Sequence, residues 1–291
     1  MIPLKKGERM MATHSLDRTV AIMVSFNDPV RLEISLSALH NQVQLVVVVD
    51  NGSMPNHVSN LRRIISRYNA VLIELGENFG IGVALNRGID FARDQAAEWV
   101  LTMDQDSTID KNFMFSMSRA LHKFESPVSL CPSLRAVPLM DGMETQEVSY
   151  AITSGHLVPL AIFDCIGEYD EGLFIDGVDF DFSLRLRDAG FLIIRVLEAT
   201  MLHELGEQRT KIPFHTVHSP QRRYYMKRNF LILAFRHIFR HPRFIFRLFL
   251  TSVLADTMAL IFGPNRLVTA RAMMLGFIDG LLRRQGVGRI I

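Results

Sequence analysis

A chain of 291 residues with 48% hydrophobic side chains can bury a large core, which excludes disorder as its default state and allows one α/β domain with a helical extension. Two cysteines, Cys131 and Cys165, are too few for a disulfide framework, and the first ten residues lack the apolar stretch of a signal peptide, so a reducing cytoplasm is expected. The net charge of +2 hides an asymmetry: residues 209–291 carry 15 Lys and Arg against only Asp256 and Asp279, a net +13, which leaves −11 for residues 1–208.

In chain order, residues 1–17 read as a flexible leader, with Met10 and Met11 as alternative starts. Four runs rich in β-branched residues predict strands: Thr19 to Ser25, Leu45 to Val49, Val71 to Glu74 and Trp99 to Met103, with helical patterns between them. This alternation predicts an α/β fold with a mostly parallel sheet covered on both faces. The uninterrupted Leu45-Val46-Val47-Val48-Val49 fits a strand buried on both sides. Each run ends in polar or glycine residues, and in open α/β sheets the ligand lies beyond the carboxyl ends of the strands. After Pro127 the pattern loosens to a candidate strand at Val148 to Thr153, a helix from Asp179 to Ala189, and strand-like runs at Phe191 to Val196 and Ala199 to Leu202. Helical patterns follow from Gln221 to about Arg240 and in two segments divided by Pro242 and Gly263-Pro264.

Asp104-Gln105-Asp106, directly after a predicted buried strand, is the most specific local signal. Mg2+ and Mn2+ favour a few carboxylate oxygens together with substrate phosphates, and acids two residues apart can serve a metal and a sugar hydroxyl. The competing reading is a solvated turn capping the next helix, since Asp106, Ser107 and Asp110 are all good N-cap types. Asp50 can accept the imino N–H of a pyrimidine base or simply close an Asp-Asn-Gly turn. Asn78 through Gly88 places glycines where backbone passes close to a ligand or a helix. Leu85 stands at the third glycine position of a dinucleotide fingerprint, which disfavours an oxidoreductase. Arg87 suits a diphosphate or a solvated helix face. Asp176, Asp179 and Asp181 offer three carboxylates for the base that sugar transfer with inversion needs, with Asp181 the best fit to a plain helix cap. His203 reads as a metal ligand or a structural histidine. Arg222-Arg223-Tyr224-Tyr225-Met226-Lys227-Arg228-Asn229 combines arginine forks with aromatic faces, or forms a basic helix face.

Val49-Asp50-Asn51-Gly52-Ser53, Asn78 through Gly88, Asp104-Gln105-Asp106-Ser107, Gly167 through Glu171 leading to Asp176, and Val178-Asp179-Phe180-Asp181 occur in the order that resembles family 2 glycosyltransferases of GT-A fold. Asp-Gln-Asp-Ser and the Arg-x-Tyr-Tyr-x-x-Arg-Asn segment from Arg223 to Asn229 resemble, more narrowly, bacterial rhamnosyltransferases of O-antigen and surface polysaccharide synthesis. The resemblance covers roughly residues 18 to 235. It implies a GT-A catalytic domain over residues 18–220 and a basic, amphipathic helical extension over 221–291. It also implies that Asp50 contacts the pyrimidine, Asp104 the ribose, and Asp106 and His203 a Mg2+ or Mn2+ ion, with Asp179 as general base. Val178 departs from the glutamate usual before that aspartate. Ser25, Asn27, Asn78, Gly82, Arg87 and Gln105 complete the candidate nucleotide-sugar set. Gly155, Asp176, Arg223, Tyr224 and Arg228 are the candidates for acceptor or diphosphate.

The expected activity is inverting transfer of L-rhamnose from dTDP-L-rhamnose to a polyprenyl-diphosphate-linked glycan. The alternatives are UDP-glucose, UDP-galactose or UDP-galactofuranose as donor, or a noncatalytic nucleotide-sugar-binding membrane scaffold. Phe244 to Phe262 is mostly apolar but interrupted by Arg247 and Asp256, which predicts amphipathic helices lying on the inner face of the plasma membrane. Arg236, Arg240, Arg243 and Arg247 are expected to face anionic lipid. A soluble helical subdomain or a homo-oligomer interface is the competing reading, and no nucleic-acid partner is expected.

Overall fold

The computed structural model describes residues 15–134, 143–203 and 218–288. Most of the expected leader therefore lies outside the described residues. The first half builds β1 (Thr19–Ser25), α1 (Pro29–Leu39), β2 (Leu45–Asp50), α2 (Pro55–Ile65), β3 (Ala70–Glu74), α3 (Ile81–Asp94) and β4 (Trp99–Asp104). The four strands are parallel in the order β3-β2-β1-β4. Successive side chains of a strand point to opposite faces, and β2 uses this in full. Val46 and Val48 join a core with α1 and α2, whereas Val47 and Val49 join a second core under α3. The continuous valine run is thus explained by two covered faces.

The second half adds β5 (Ser107–Ile109), α4 (Phe113–Leu121), β6 (Val128–Ser133), β7 (Thr145–Glu147), β8 (His156–Pro159), α5 (Leu160–Ile166), a 3-10 turn over Glu171–Leu173, α6 (Val178–Asp188) and β9 (Leu192–His203). β8 joins β4 antiparallel and extends the sheet through β6 to β9 and β5. The predicted strand at Val148 to Thr153 is not one. The Val148 N–H still bonds Ile193 at 2.9 Å, but Ala151 donates to Ser183 of α6 and the Thr153 carbonyl accepts from Thr102, so side chains replace a strand ladder. The two strand-like runs after α6 form the single β9. Its first half pairs with β6 and β7 and its end with β5, with a register shift opposite Pro132 and Ser133.

Helices α7 (Pro220–His237), α8 (Pro242–Phe262) and α9 (Arg266–Leu281) complete the described chain. Ser219 caps α7 by accepting from the Arg222 N–H, and Pro220 fits the first turn, where no N–H is needed. α7 works as a three-sided pillar because residues one position apart differ by about 100° around a helix. Arg222, Asn229 and Leu233 face the segment before α6; Arg223 and Lys227 face Asp256 of α8; Tyr224 faces Asp279 of α9.

Candidate active site

Parallel register brings the ends of β1, β2 and β4 together: Ser25 pairs with Asp50, and Val24 with Asp104. Neighbouring strands lie about 4.8 Å apart, so Asp50 and Asp104 flank the end of β1 on one sheet edge. The loops behind them are cross-braced. Gln105 accepts from the Phe26 N–H at 2.9 Å and from the Ser25 hydroxyl at 3.3 Å, and donates to the Phe26 carbonyl at 3.0 Å. The Asn27 side chain accepts from the Met54 N–H, and its own N–H bonds Ser53. Asn78 accepts from Asn51 and from the Gly80 N–H. Gln105, Asn27 and Asn78 therefore shape the crevice rim through bonds to its loops. Asp50 is buried and accepts from both the N–H and the hydroxyl of Ser53, which holds its carboxylate at the strand end.

Asp104 is half-buried and its N–H bonds Ser154. Burial pushes its carboxyl up to about 7, the Asp106 charge adds to this, and Arg222 opposes it. Asp106 does not cap a helix, because β5 begins directly after it; Asn112 stands at the N-cap position of α4 without a side-chain capping bond, and Asp110 accepts from the Thr200 hydroxyl and the Asn112 N–H. The antiparallel pairing of β5 with β9 sets the backbone of His203 opposite Ser107, next in the chain to Asp106; the His203 side chain lies outside the described residues. Among the described residues no three His, Cys, Asp or Glu side chains form a complete cage. The donor set fits Mg2+ or Mn2+ nonetheless, since such ions take one or two carboxylates plus substrate phosphates, and a cation would relieve the repulsion between Asp104 and Asp106.

The three acids around α6 have separate surroundings. Asp181 is buried; burial favours its protonation, but His237 at 3.0 Å, Arg185 at 2.7 Å and Arg236 at 3.2 Å overcome this and hold it at about 2. Asp176 is gripped by the Arg222 guanidinium, whose Nε and Nη2 both donate to it at 3.0–3.2 Å. Asp179, at the start of α6, is pushed up to about 7 by burial; the Phe180 N–H at 2.9 Å works against this, and the charges of Asp176 and Asp104 add to it. The charges of Asp104 and Asp176 both reach Asp179, which places it near the crevice beyond the strand ends. A carboxylate near neutrality can accept a proton from an attacking hydroxyl.

Other expected site residues lie elsewhere or serve the scaffold. Gly82 faces the chain: a Cβ there would sit 2.9 Å from the Asp170 carbonyl, so the glycine admits the 170–174 segment against α3. Gly155, with φ 78°, is closed in by Pro132 and Met201. Arg87 is exposed on α3. Arg223 is buried toward Asp256, and Tyr224 donates to Asp279 at 2.7 Å. Arg228 is buried and donates to the carbonyls of Gly172, Leu173 and Gly286. Arg223 and Tyr224 thus tie the helices of the extension to one another, and Arg228 joins the extension to the catalytic part. Arg222, passed over in favour of its neighbour, is the arginine of this run that reaches the crevice. Asn229 was also missed: its amide donates to the carbonyls of Leu173, Ile175 and Asp176, each at 2.7 Å. Arg236 and Arg240, expected to face lipid, instead pair with Asp170 and Asp181 and with Asp188.

Residues 20–137 match the model of glycosyl transferase family 2. The chain is 29% identical over 296 residues to dTDP-rhamnosyl transferase RfbF of Shigella flexneri, covering 92% of this chain and 97% of that protein. Among solved structures it is similar to the mannosyltransferase PcManGT of Pyrobaculum calidifontis in complex with GDP-Man and Mn2+, with TM-score 0.57, 16% identity, and 96% and 90% of the two chains covered. It is also similar to S. aureus TarS, with TM-score 0.54 and 16% identity; 90% of this chain is covered but only 43% of TarS. A shorter TarS chain in complex with UDP-GlcNAc gives TM-score 0.53 and 15% identity, covering 91% and 73%. The chain has the GT-A glycosyltransferase fold, matches glycosyl transferase family 2 over residues 20–137 and resembles the rhamnosyltransferases.

Proposed function

We propose that the protein transfers L-rhamnose, with inversion, from dTDP-L-rhamnose to a lipid-linked glycan in cell-surface polysaccharide synthesis. Asp50 and Asp104 side by side at the strand ends, with Asp179 within electrostatic reach of Asp104, carry this reading, and similarity to a dTDP-rhamnosyl transferase over 92% of the chain supports the donor. Residues 18–220 form the catalytic part and 221–291 the helical extension. Asp50 accepts the imino N–H of thymine, Asp104 meets the ribose, and Asp106 with His203 holds Mg2+ or Mn2+, a choice supported by the Mn2+ complex of the mannosyltransferase. When bound, the cation offsets negative charge on the departing diphosphate. Arg222 supplies a second positive charge beside the crevice. Asp179 takes the proton of the acceptor hydroxyl as its oxygen bonds the anomeric carbon and the bond from that carbon to the diphosphate oxygen breaks.

The enzyme works on the cytoplasmic side of the plasma membrane, where a polyprenyl-diphosphate acceptor is held. A thermal-shift screen of nucleotide sugars with and without Mn2+ tests the donor. The expected result is a metal-dependent rise in melting temperature with dTDP-rhamnose and none with UDP-glucose or UDP-galactose. A rise with a UDP-sugar alone would move the reading to that donor, and no shift with any nucleotide sugar would count against the whole assignment.

A further inference from the structure

The extension ends in a surface that the catalytic chemistry does not use. α8 is long and apolar enough to cross a membrane, yet one of its sides is tied down. Ile245 and Ala259 are buried, Ser252 accepts from Lys227, Phe249 packs on Phe230, and Asp256 pairs with Lys227 and lies 3.8 Å from Arg223. At about 100° per residue these positions form one stripe. The acid that interrupts the apolar run is therefore neutralised on the inner side. Arg243, Arg247, Leu250, Leu254 and Ile261 lie on the opposite side, and the last three are exposed. The hairpin tip adds exposed Phe262, Leu267 and Val268, with Leu267 87% exposed.

We propose that the outer side of α8 and the tip joining it to α9 dock on an anionic lipid bilayer, lying in the headgroup region with the apolar residues immersed and the arginines at the phosphates. This deepens the reading of a lipid-linked acceptor and rests on it for its purpose, though not for its test. Charge selects the occupant. Asp279, the only other acid of the extension, is buried and bonded to Arg284 and Tyr224. No acid of the extension is left for Arg243, Arg247, Arg266 or Arg271. A second copy docked on the same face by two-fold symmetry would press one basic face against another, whereas anionic headgroups complement it. The ties of Asp256 and Ser252 to α7 keep α8 on the surface rather than through the bilayer.

Full-length protein is mixed with vesicles of phosphatidylcholine alone, or of phosphatidylcholine with phosphatidylglycerol, and sedimented, while light scattering reports its mass. The wild type is expected to pellet with the anionic vesicles and to be released by salt. The double variant Leu250→Asp, Leu254→Asp is expected to lose about tenfold in vesicle affinity while keeping metal-dependent hydrolysis of the donor. Arg243→Gln with Arg247→Gln, which leaves the apolar residues untouched, is expected to lose only the preference for anionic vesicles. Failure of the wild type to bind anionic vesicles, equal binding to both compositions, or a dimer that Leu250→Asp and Leu254→Asp convert to monomer would each overturn the proposal. Donor hydrolysis without vesicles reads the glycosyltransferase assignment separately, so the two can fail independently.

Discussion

At the residue scale, Asp179 combines a position at the start of a helix with a proton affinity near neutrality, because burial outweighs the Phe180 N–H that would keep it ionised. The Asp179→Asn variant should lose transfer by about a thousandfold or more while donor affinity, measured by calorimetry, stays near wild type; equal loss of both would mark a structural role. As base the carboxyl must be ionised, so kcat/KM should rise with pH through about 7 and level off above it. The stability sign runs the other way. A carboxyl whose folded pKa is raised favours the fold at pH below its ordinary value, and this is lost as pH rises through the folded value. Asp179→Asn should therefore raise the melting temperature relative to wild type at pH 8 and not at pH 4. Asp104-Gln105-Asp106 was legible because its message is local: acids at the end of a buried strand. The choice of Arg222 over Arg223 was not, since adjacent helix positions differ only in which neighbour they face, and that is settled by packing against Asp176 and Asp256.

At the scale of elements, the parallel strands were readable from their β-branched runs, and their register delivers Asp50 and Asp104 to one edge without further information. The return of β9 past β6 to β5 was not readable, because its partners lie far away in the chain, with Ser107 pairing His203, and its pairing with β6 includes a register shift. The Arg-x-Tyr-Tyr-x-x-Arg-Asn segment, which the sequence offers as ligand chemistry or as a basic helix face, serves in part as a clamp. Asn229 bonds three carbonyls of the segment that carries Asp176, where Phe174 and Asp176 both have positive φ, at 64° and 63°. Asn229→Ala should cost roughly 2–4 kcal/mol of stability by leaving carbonyls of this segment unbonded, measured by denaturant unfolding, and Asn229→Asp should cost at least as much, since a carboxylate cannot donate to those carbonyls. Gly276 lets α9 approach the Tyr224 carbonyl of α7, so Gly276→Val should lower the melting temperature by forcing these helices apart.

At the scale of the molecule, the charge asymmetry seen in the sequence has a physical arrangement. Asp50, Asp104 and Asp106 of the catalytic part stand at the strand ends, while both acids of the extension are turned inward, so that the outer side of the extension is apolar and basic. Part of the basic excess was misread as lipid-facing, since Arg236 and Arg240 bind the catalytic part through Asp170, Asp181 and Asp188. The crevice and the docking face are thus joined by α7, which touches both Asp176 and Asp256. The most direct test of the proposed transfer is release of dTDP from dTDP-rhamnose by the purified protein with Mn2+ and a lipid-linked acceptor, with EDTA as the metal-free arm. The expected result is release that the acceptor accelerates and EDTA abolishes, and release unchanged by EDTA, or none from any nucleotide sugar, would contradict this function.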